Sequence, residues 1–197
     1  MNIRVLYIVL LILLSSCAKT RYINPEDVEY IKFGYLQKGI ETYVALSSWQ
    51  DVVGSYDRID TIIENRQFIQ EYVELLNSTS EKADSTSGDY RVVSLIKLKD
   101  GAEHYVCLGE TFGLAFDSII LQDNKRVFDF VDSVLYTKEQ LKKFHRMNME
   151  HTCTDEYLNS KQFDTDFDSL YQKYLLEKDY VSYSIAIGAL RMKLCEE

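Results

Sequence analysis

The sequence predicts an α+β protein, in which an antiparallel sheet carries helices packed on one face and is followed by a helical C-terminal region. Segments rich in β-branched and aromatic residues cluster in the first two thirds of the chain, and segments with helical spacing of apolar residues dominate the last third. The 15 tyrosines and the single proline suit such a fold and exclude a collagen-like chain. Hydrophobic residues make up 46% of the 197 residues, which is enough for a substantial core.

The first strands are predicted from alternating apolar and polar residues. Residues 28–36 and 40–46 flank a turn at 37–39, so this region predicts a β-hairpin. Residues 47–54 predict a short helix, and residues 58–63 predict another strand. The preceding stretch, AKTRYINPED, is expected to be a short tether.

An amphipathic helix is predicted next. Asn65 occupies an N-cap position, and apolar side chains follow at helical spacing as far as Leu76. Residues 77–89 are polar or small, contain no large apolar side chain, and predict a solvent-exposed loop.

The clearest hairpin lies in the middle of the chain. Residues 90–99 and 102–109 alternate on either side of Asp100-Gly101, a dipeptide that accepts the positive φ angles of a tight turn. Residues 114–121 predict one more strand, and apolar spacing predicts a helix around residues 128–135.

The last third is predicted to be helical. Thr137 and Gln140 have the spacing of a capping box, in which each residue bonds the backbone N–H of the other. Helical faces follow in residues 163–179 and in the apolar segment 180–194. We therefore expect an α+β domain over residues 28–136 and a helical extension packed on it over residues 137–197.

The N-terminus has the layout of an export signal. Arg4 precedes ten apolar residues, 5–14, which is about half the length that a membrane-spanning helix needs. Leu14-Ser15-Ser16-Cys17 then resembles the lipobox of bacterial lipoprotein precursors. That resemblance covers only residues 1–17, and no family is recognised for the rest of the chain. It implies a signal peptide over residues 1–16 that is cleaved off.

The resemblance also implies how the protein is held. The residue to be lipidated is Cys17, and the lipidated cysteine with its tether occupies residues 17–27. Several acyl chains on one residue anchor a protein stably in a membrane. Ala18 replaces the Asp that retains some lipoproteins in the inner membrane, which favours the outer membrane, with the protein facing the periplasm.

The net charge of the chain limits the kinds of partner that we expect it to bind. The net charge is −9, and it becomes −10 without residues 1–16, because that segment contains Arg4 and no acid. An acidic surface repels phosphate backbones and anionic lipid, so we expect no nucleic-acid partner and no basic membrane-binding patch. The expected contacts are the membrane, through lipid on Cys17, and an envelope protein or other envelope component.

Three cysteines remain after Cys17. Cys107 lies among apolar residues of a predicted strand and is expected to be a buried free thiol. In an exported protein Cys153 and Cys195 are the preferred disulfide pair, which would join the last helix to an earlier one. Three unpaired cysteines remain the alternative.

Few residues suggest catalysis or metal binding. His104 lies in a predicted strand near Asp100 and Glu103, but no GxSxG motif supplies a nucleophile. His145, His151 and Cys153 lie within nine residues, yet the six-residue separation of the two histidines does not suit one continuous helix.

The acidic residues Asp164, Asp166 and Asp168 resemble the start of an EF-hand calcium loop. Ser169 and Leu175 occupy the positions that require Gly and Glu, so a capping box from Thr165 to Asp168 explains these acids better. The chain also contains no CxxC pair and no glycine-rich phosphate loop. The sequence therefore predicts no catalytic residue, no metal site and no cofactor.

Two functions from different classes remain. The first is a membrane-anchored envelope lipoprotein of non-catalytic binding or accessory type. The second is an envelope hydrolase or metal-dependent enzyme that uses His104, or else His145, His151 and Cys153. Convergence of the last three residues on one point would favour the enzyme.

Overall fold

A computed structural model describes residues 22–39, 44–82, 88–122 and 124–195, with the side chain of residue 195 excepted. The fold is α+β, as the sequence predicts, with one six-stranded antiparallel sheet and seven α-helices among these residues. The strand order is β2-β1-β3-β4-β5-β6. The signal segment and Cys17 lie outside the described residues, so cleavage and lipidation stay predictions.

Every strand pairs antiparallel to its neighbours. The strands are β1 (Val28–Tyr35), β2 (Ile59–Ile63), β3 (Tyr90–Leu98), β4 (Glu103–Gly109), β5 (Leu114–Phe116) and β6 (Ile119–Ile120). The α-helices are α1 (Trp49–Val53), α2 (Arg66–Ser78), α3 (Asn124–Leu135), α4 (Lys138–Met149), α5 (Asp155–Leu158), α6 (Lys161–Leu170) and α7 (Tyr180–Cys195). A 3-10 turn, Pro25–Asp27, precedes β1, and a π-helical turn, Tyr171–Leu175, follows α6.

Two predicted strand segments are wrong in detail. The described part of the predicted strand 40–46, Val44 to Leu46, is not strand, and residues 40–43 lie outside the described residues. Both edges of β1 are instead occupied by β2 and β3. The predicted strand 114–121 is a hairpin, because Asp117 and Ser118 form a two-residue turn between β5 and β6.

One large core lies on the inner face of the sheet. Phe33 and Tyr72 pack edge to face, with their ring centroids 5.5 Å apart, and so join β1 to α2. Phe144 of α4 and Phe163 of α6 belong to the same buried cluster as Phe33. The buried core is thus continuous across the expected boundary between residues 136 and 137.

The outer face carries a second, smaller core. Val52 of α1 packs with Val93, Cys107 and Ala115, which project from β3, β4 and β5 away from the large core. Most helices therefore lie on one face, as predicted, while α1 covers part of the other. In the part of the chain that the structure describes, no helix combines the length and the apolar character needed to span a membrane.

The described end of the predicted tether, residues 22–27, is attached to the domain. Ile23 is buried, and its N–H donates to Asn77 Oδ1 over 3.1 Å. The Asn77 amide in turn donates to the Ile23 carbonyl over 2.7 Å. One side chain at the end of α2 therefore holds the chain where it enters the domain.

Replacing Asn77 by alanine is expected to destabilise the protein by about 1–2 kcal/mol, because both backbone groups of Ile23 lose their partner. Urea unfolding measures the change. The matched control is Gln67→Ala on the same helix, whose amide bonds only the exposed Glu71, and it should change stability by under about 0.5 kcal/mol. Equal effects of the two substitutions would contradict the role of Asn77.

Two predicted capping boxes are not formed. Thr137 is the N-cap of α4, and its hydroxyl accepts from the Gln140 N–H over 3.3 Å, but Gln140 Oε1 has no partner among the described residues. Ser160 caps α6, so Thr165 lies inside that helix, and its hydroxyl donates to the Lys161 carbonyl.

Candidate functional site

A cleft of about 800 Å³ lies on the outer face of the sheet. It is lined by residues 47–50, by Tyr90, Tyr105 and Cys107 of the central strands, and by the β5–β6 hairpin. The volume falls within the range of roughly 300–1,000 Å³ that is usual for ligand pockets. This cleft combines aromatic, hydroxyl, amide and carboxylate groups, and we take it as the candidate site.

Local hydrogen bonds position one wall of the cleft. Ser48 Oγ accepts from the Asp51 N–H over 3.2 Å, and Asp51 Oδ2 accepts from the Ser48 N–H over 2.9 Å. This capping box lowers the pKa of Asp51, chiefly through the hydrogen bond with the Ser48 side chain. It starts α1 at Trp49, whose indole therefore lies at the cleft.

An aromatic pair is the main feature of the cleft. The rings of Trp49 and Tyr105 meet edge to face, with centroids 5.2 Å apart and planes at 79°. The Tyr105 hydroxyl donates to Glu103 over 2.9 Å, which fixes that ring from the far side. The Trp49 Nε1–H is buried and has no hydrogen-bond partner among the described residues.

The β5–β6 turn supplies the carboxylate of the cleft. Asp117 and Ser118 have φ angles of 47° and 72°, in the left-handed region that favours glycine. Asp117 Oδ1 accepts from the Tyr105 N–H over 2.8 Å, and Asp117 Oδ2 accepts from His104 Nδ1 over 2.6 Å. The Asp117 side chain thus ties the turn to β4, and it holds the proton of His104 on Nδ1.

Glycine substitutions at Asp117 and Ser118 distinguish two contributions to stability, the cost of the left-handed backbone and the hydrogen bonds of the Asp117 carboxylate. Ser118→Gly is expected to stabilise the protein by about 0.5–1 kcal/mol, because it removes the left-handed conformation of a non-glycine residue. Asp117→Gly relieves the same strain but is expected to destabilise by about 1–2 kcal/mol, because it removes two hydrogen bonds. Urea unfolding measures both variants. Stabilisation by Asp117→Gly, as by Ser118→Gly, would show that the Asp117 carboxylate does not hold the hairpin.

Cys107 borders the cleft as an inert thiol. It is buried and free, as predicted, and burial raises its pKa to about 12. A thiol with that pKa is protonated at neutral pH and is a weak nucleophile. Cys107 therefore contributes apolar surface to the cleft.

His104, the predicted candidate base, acquires an acidic partner that the sequence did not suggest. The partner is Asp117, and neither Asp100 nor Glu103 fills that role. The imidazole also stacks on Phe116, with centroids 5.4 Å apart. A base and an orienting acid are thus present, but within the described residues no hydroxyl or thiol is hydrogen-bonded to His104.

His145 and His151, predicted as candidate metal ligands, have different surroundings. His145 is fully buried between the rings of Phe163 and Phe167, and its Nδ1 lies 3.1 Å from the Tyr183 hydroxyl. His151 is exposed. Among residues 22–39, 44–82, 88–122 and 124–195, no group of three His, Cys, Asp or Glu side chains is arranged to hold a metal ion.

The disulfide between Cys153 and Cys195 stays a prediction. Cys153 is half-buried and packs against the large core. Cys195 is the last residue of α7, but its side chain lies outside the described part of the structure.

Comparison with protein-family models, with curated proteins and with solved structures finds no match to this chain. The cleft is therefore assigned as a candidate site on its own geometry.

Sequence reasoning did not identify the cleft. Its residues come from four separate segments, and only the pairing of β4 with β5 brings Asp117 to Tyr105. One signal was present in the sequence, because the single tryptophan of the chain lies in the polar stretch Ser47-Ser48-Trp49-Gln50.

Proposed function

We propose that this protein is a membrane-anchored envelope lipoprotein, held by lipid on Cys17, that binds an envelope component in the outer-face cleft without catalysing a reaction. The observation that carries the binding function is the cleft itself, with its aromatic pair and its buried, unpartnered Trp49 Nε1–H. The lipobox residues Leu14 to Cys17 support the anchor.

The attachment of Ile23 limits how far the domain of an anchored protein can lie from the membrane. Between Cys17 and Ile23 a fully extended chain would span at most about 22 Å, at roughly 3.3–3.6 Å per residue. β1 begins near this attachment at Val28, and the cleft lies towards its other end, where Gly34 pairs with Val93. Lipid on Cys17 would hold the Val28 end of the sheet near the membrane and direct the cleft away from it.

The site of action that fits this arrangement is the periplasmic side of the outer membrane. Ala18 after the lipidated cysteine favours that membrane under the sorting rule of some Gram-negative bacteria. The acidic net charge, −10 without residues 1–16, also suits a domain held by lipid, since it gives no attraction to anionic headgroups.

Hydrolysis is the second candidate function, and the dyad of His104 and Asp117 is the observation that favours it. The arrangement resembles two members of a catalytic triad, in which an acid orients the base. It requires a nucleophile supplied by the substrate or by water, since no described hydroxyl or thiol bonds to His104. Hydrolysis predicts that the wild-type protein cleaves the captured component and that His104→Ala does not, whereas the binding function predicts no cleavage by either protein.

The anchor and the binding function are tested together in native membranes. Metabolic labelling with an alkyne fatty acid should label the full-length protein and should fail with Cys17→Ser. Crosslinked affinity capture should then retain an envelope component with the wild-type protein and with Tyr56→Ala, whose ring is fully exposed outside the cleft. Tyr105→Ala should lose that component. Equal capture by both tyrosine variants would contradict a role for the cleft.

A further inference from the structure

The described lining of the cleft contains no Lys, Arg or His side chain. Its one charged group is the Asp117 carboxylate, which already accepts two hydrogen bonds. Proteins bind phosphate and carboxylate groups through cationic side chains or through clusters of free backbone N–H groups. The cleft therefore disfavours an anionic ligand.

Among the described residues that line the cleft, the unpartnered group is a donor, the buried N–H of the Trp49 indole. Trp49 Nε1 carries an N–H and offers no acceptor, so a complementary ligand must supply an oxygen or another acceptor. An ammonium ion supplies donors only and leaves this group unsatisfied. The site therefore does not match an aromatic cage that binds simple cations, although the Asp117 carboxylate is nearby.

An extended peptide finds no free strand edge beside the cleft. β3 is paired with β1 and β4, and β5 pairs with β4 over Val106–Leu108. Beyond that pairing the Tyr105 N–H donates to Asp117 Oδ1 and the Tyr105 carbonyl accepts from the Asp117 N–H. At β6 the Ile120 carbonyl accepts from the Lys82 N–H over 2.9 Å, and the Gln122 N–H donates to the Ser80 carbonyl over 2.9 Å. Peptide recognition by strand addition depends on unpaired backbone groups, which this edge does not offer.

The remaining chemistry matches a neutral ring with an apolar face and a polar rim. The edge-to-face rings of Trp49 and Tyr105 provide apolar surface, while Gln50 and Ser118 are exposed polar residues of the same cleft. A pyranose sugar has C–H groups on its faces and hydroxyl groups around its edge. Each hydroxyl both donates and accepts, so it could satisfy an N–H donor and a carboxylate acceptor.

We propose that the cleft binds a neutral pyranose sugar, as a free oligosaccharide or as part of a longer glycan. The sugar faces pack on Trp49 and Tyr105, a ring or hydroxyl oxygen accepts from Trp49 Nε1, and Asp117 accepts from a hydroxyl. This ligand class rests on the proposed binding function and narrows it to one chemistry.

Trp49 reports directly on the test, because it is the only tryptophan in the chain. Tryptophan fluorescence of the chain without residues 1–17 but with residues 18–197 intact is titrated with maltotriose, cellotriose and triacetylchitotriose. Capped trialanine, tetramethylammonium and inorganic phosphate form the comparison set. We expect a saturable spectral shift with at least one trisaccharide and none with the comparison set.

Variants test whether the response to trisaccharide arises from binding in the cleft. Gln50→Ala and Ser118→Gly remove polar groups from the cleft while leaving the core intact, and they should weaken sugar binding several-fold. Tyr56→Ala, outside the cleft, should bind as the wild type does. Calorimetry with Trp49→Phe, which keeps a ring but lacks the N–H, should show at least tenfold weaker binding.

The outcomes separate the ligand class from the binding function. No response to any trisaccharide overturns the sugar proposal, and a saturable response to capped trialanine replaces it with a peptide ligand. The binding function survives either result if Tyr105→Ala still abolishes envelope capture. If that variant captures normally, the binding function fails as well. A response to trisaccharide but not to insoluble glucan would identify the free oligosaccharide as the source.

Discussion

Replacing Asp132 by asparagine is expected to destabilise the protein by about 3 kcal/mol, because it leaves the buried Lys38 ammonium without its carboxylate. Lys38 is 6% exposed, and its Nζ lies 5.5 Å and 5.4 Å from the ring centroids of Phe128 and Tyr136. The pair joins the segment after β1 to α3. Urea unfolding gives the change in free energy.

Two comparisons make this prediction specific. The double variant Lys38→Met/Asp132→Leu removes both charges and should be less destabilised than Asp132→Asn alone. Asp129→Asn disrupts the exposed pair between Lys125 and Asp129 on the same helix and should cost under about 0.5 kcal/mol. A double variant at least as unstable as the single one would show that the ion pair itself is strongly stabilising.

The second large effect is a loss of stability in acid caused by His145. Burial lowers the pKa of His145 from 6.5 to about 4, Asp166 opposes this shift and Arg191 adds to it. Between these two pKa values the unfolded chain binds a proton that the folded chain does not. The stabilising effect is therefore complete above pH 6.5 and is lost as the pH falls through about 4, a change of roughly 3 kcal/mol.

The contribution of His145 is measured as a difference between variants. Stability is followed by urea unfolding between pH 7 and pH 4 for the wild type, for His145→Phe and for His151→Gln. Carboxylates titrate in all three proteins and contribute equally to the dependence of the unfolding free energy on pH. The part of that dependence that is missing only from His145→Phe is therefore due to His145. His151 is exposed, and its substitution should leave the slope unchanged. Equal slopes in all three proteins would contradict the burial of a neutral His145.

The fold class was predictable because its signals are local. The Asp100-Gly101 turn specifies the β3–β4 hairpin, and the Asn65 cap starts α2, whose N-cap hydrogen bond to the Phe68 N–H is formed. The strands that pair with β1 are distant from it in sequence. The prediction that β1 pairs with the neighbouring segment 40–46 was therefore wrong, because β2 and β3 occupy both edges of β1. The β5–β6 turn was missed because Asp-Ser is an uncommon pair for two left-handed residues.

The candidate site was less predictable than the fold. A histidine in a strand gives no indication of its cross-strand partner, so the contact between His104 and Asp117 required the register of β4 with β5. The helical spacing of His145 and His151 gave no indication that His145 is buried among aromatic rings, because that burial depends on the packing of α6 and α7. The cleft depends on four segments at once, and its residues carry no recognisable spacing.

The most direct test of a binding cleft in an anchored protein is site-specific photocrosslinking in living cells. A photoreactive amino acid is placed at Gln50, an exposed residue of the cleft, and at Gln70, an exposed residue of α2 outside it. The cleft assignment predicts a discrete adduct from position 50 that is absent from position 70 and that disappears with Cys17→Ser. The same adducts from both positions, or none from position 50, would contradict it.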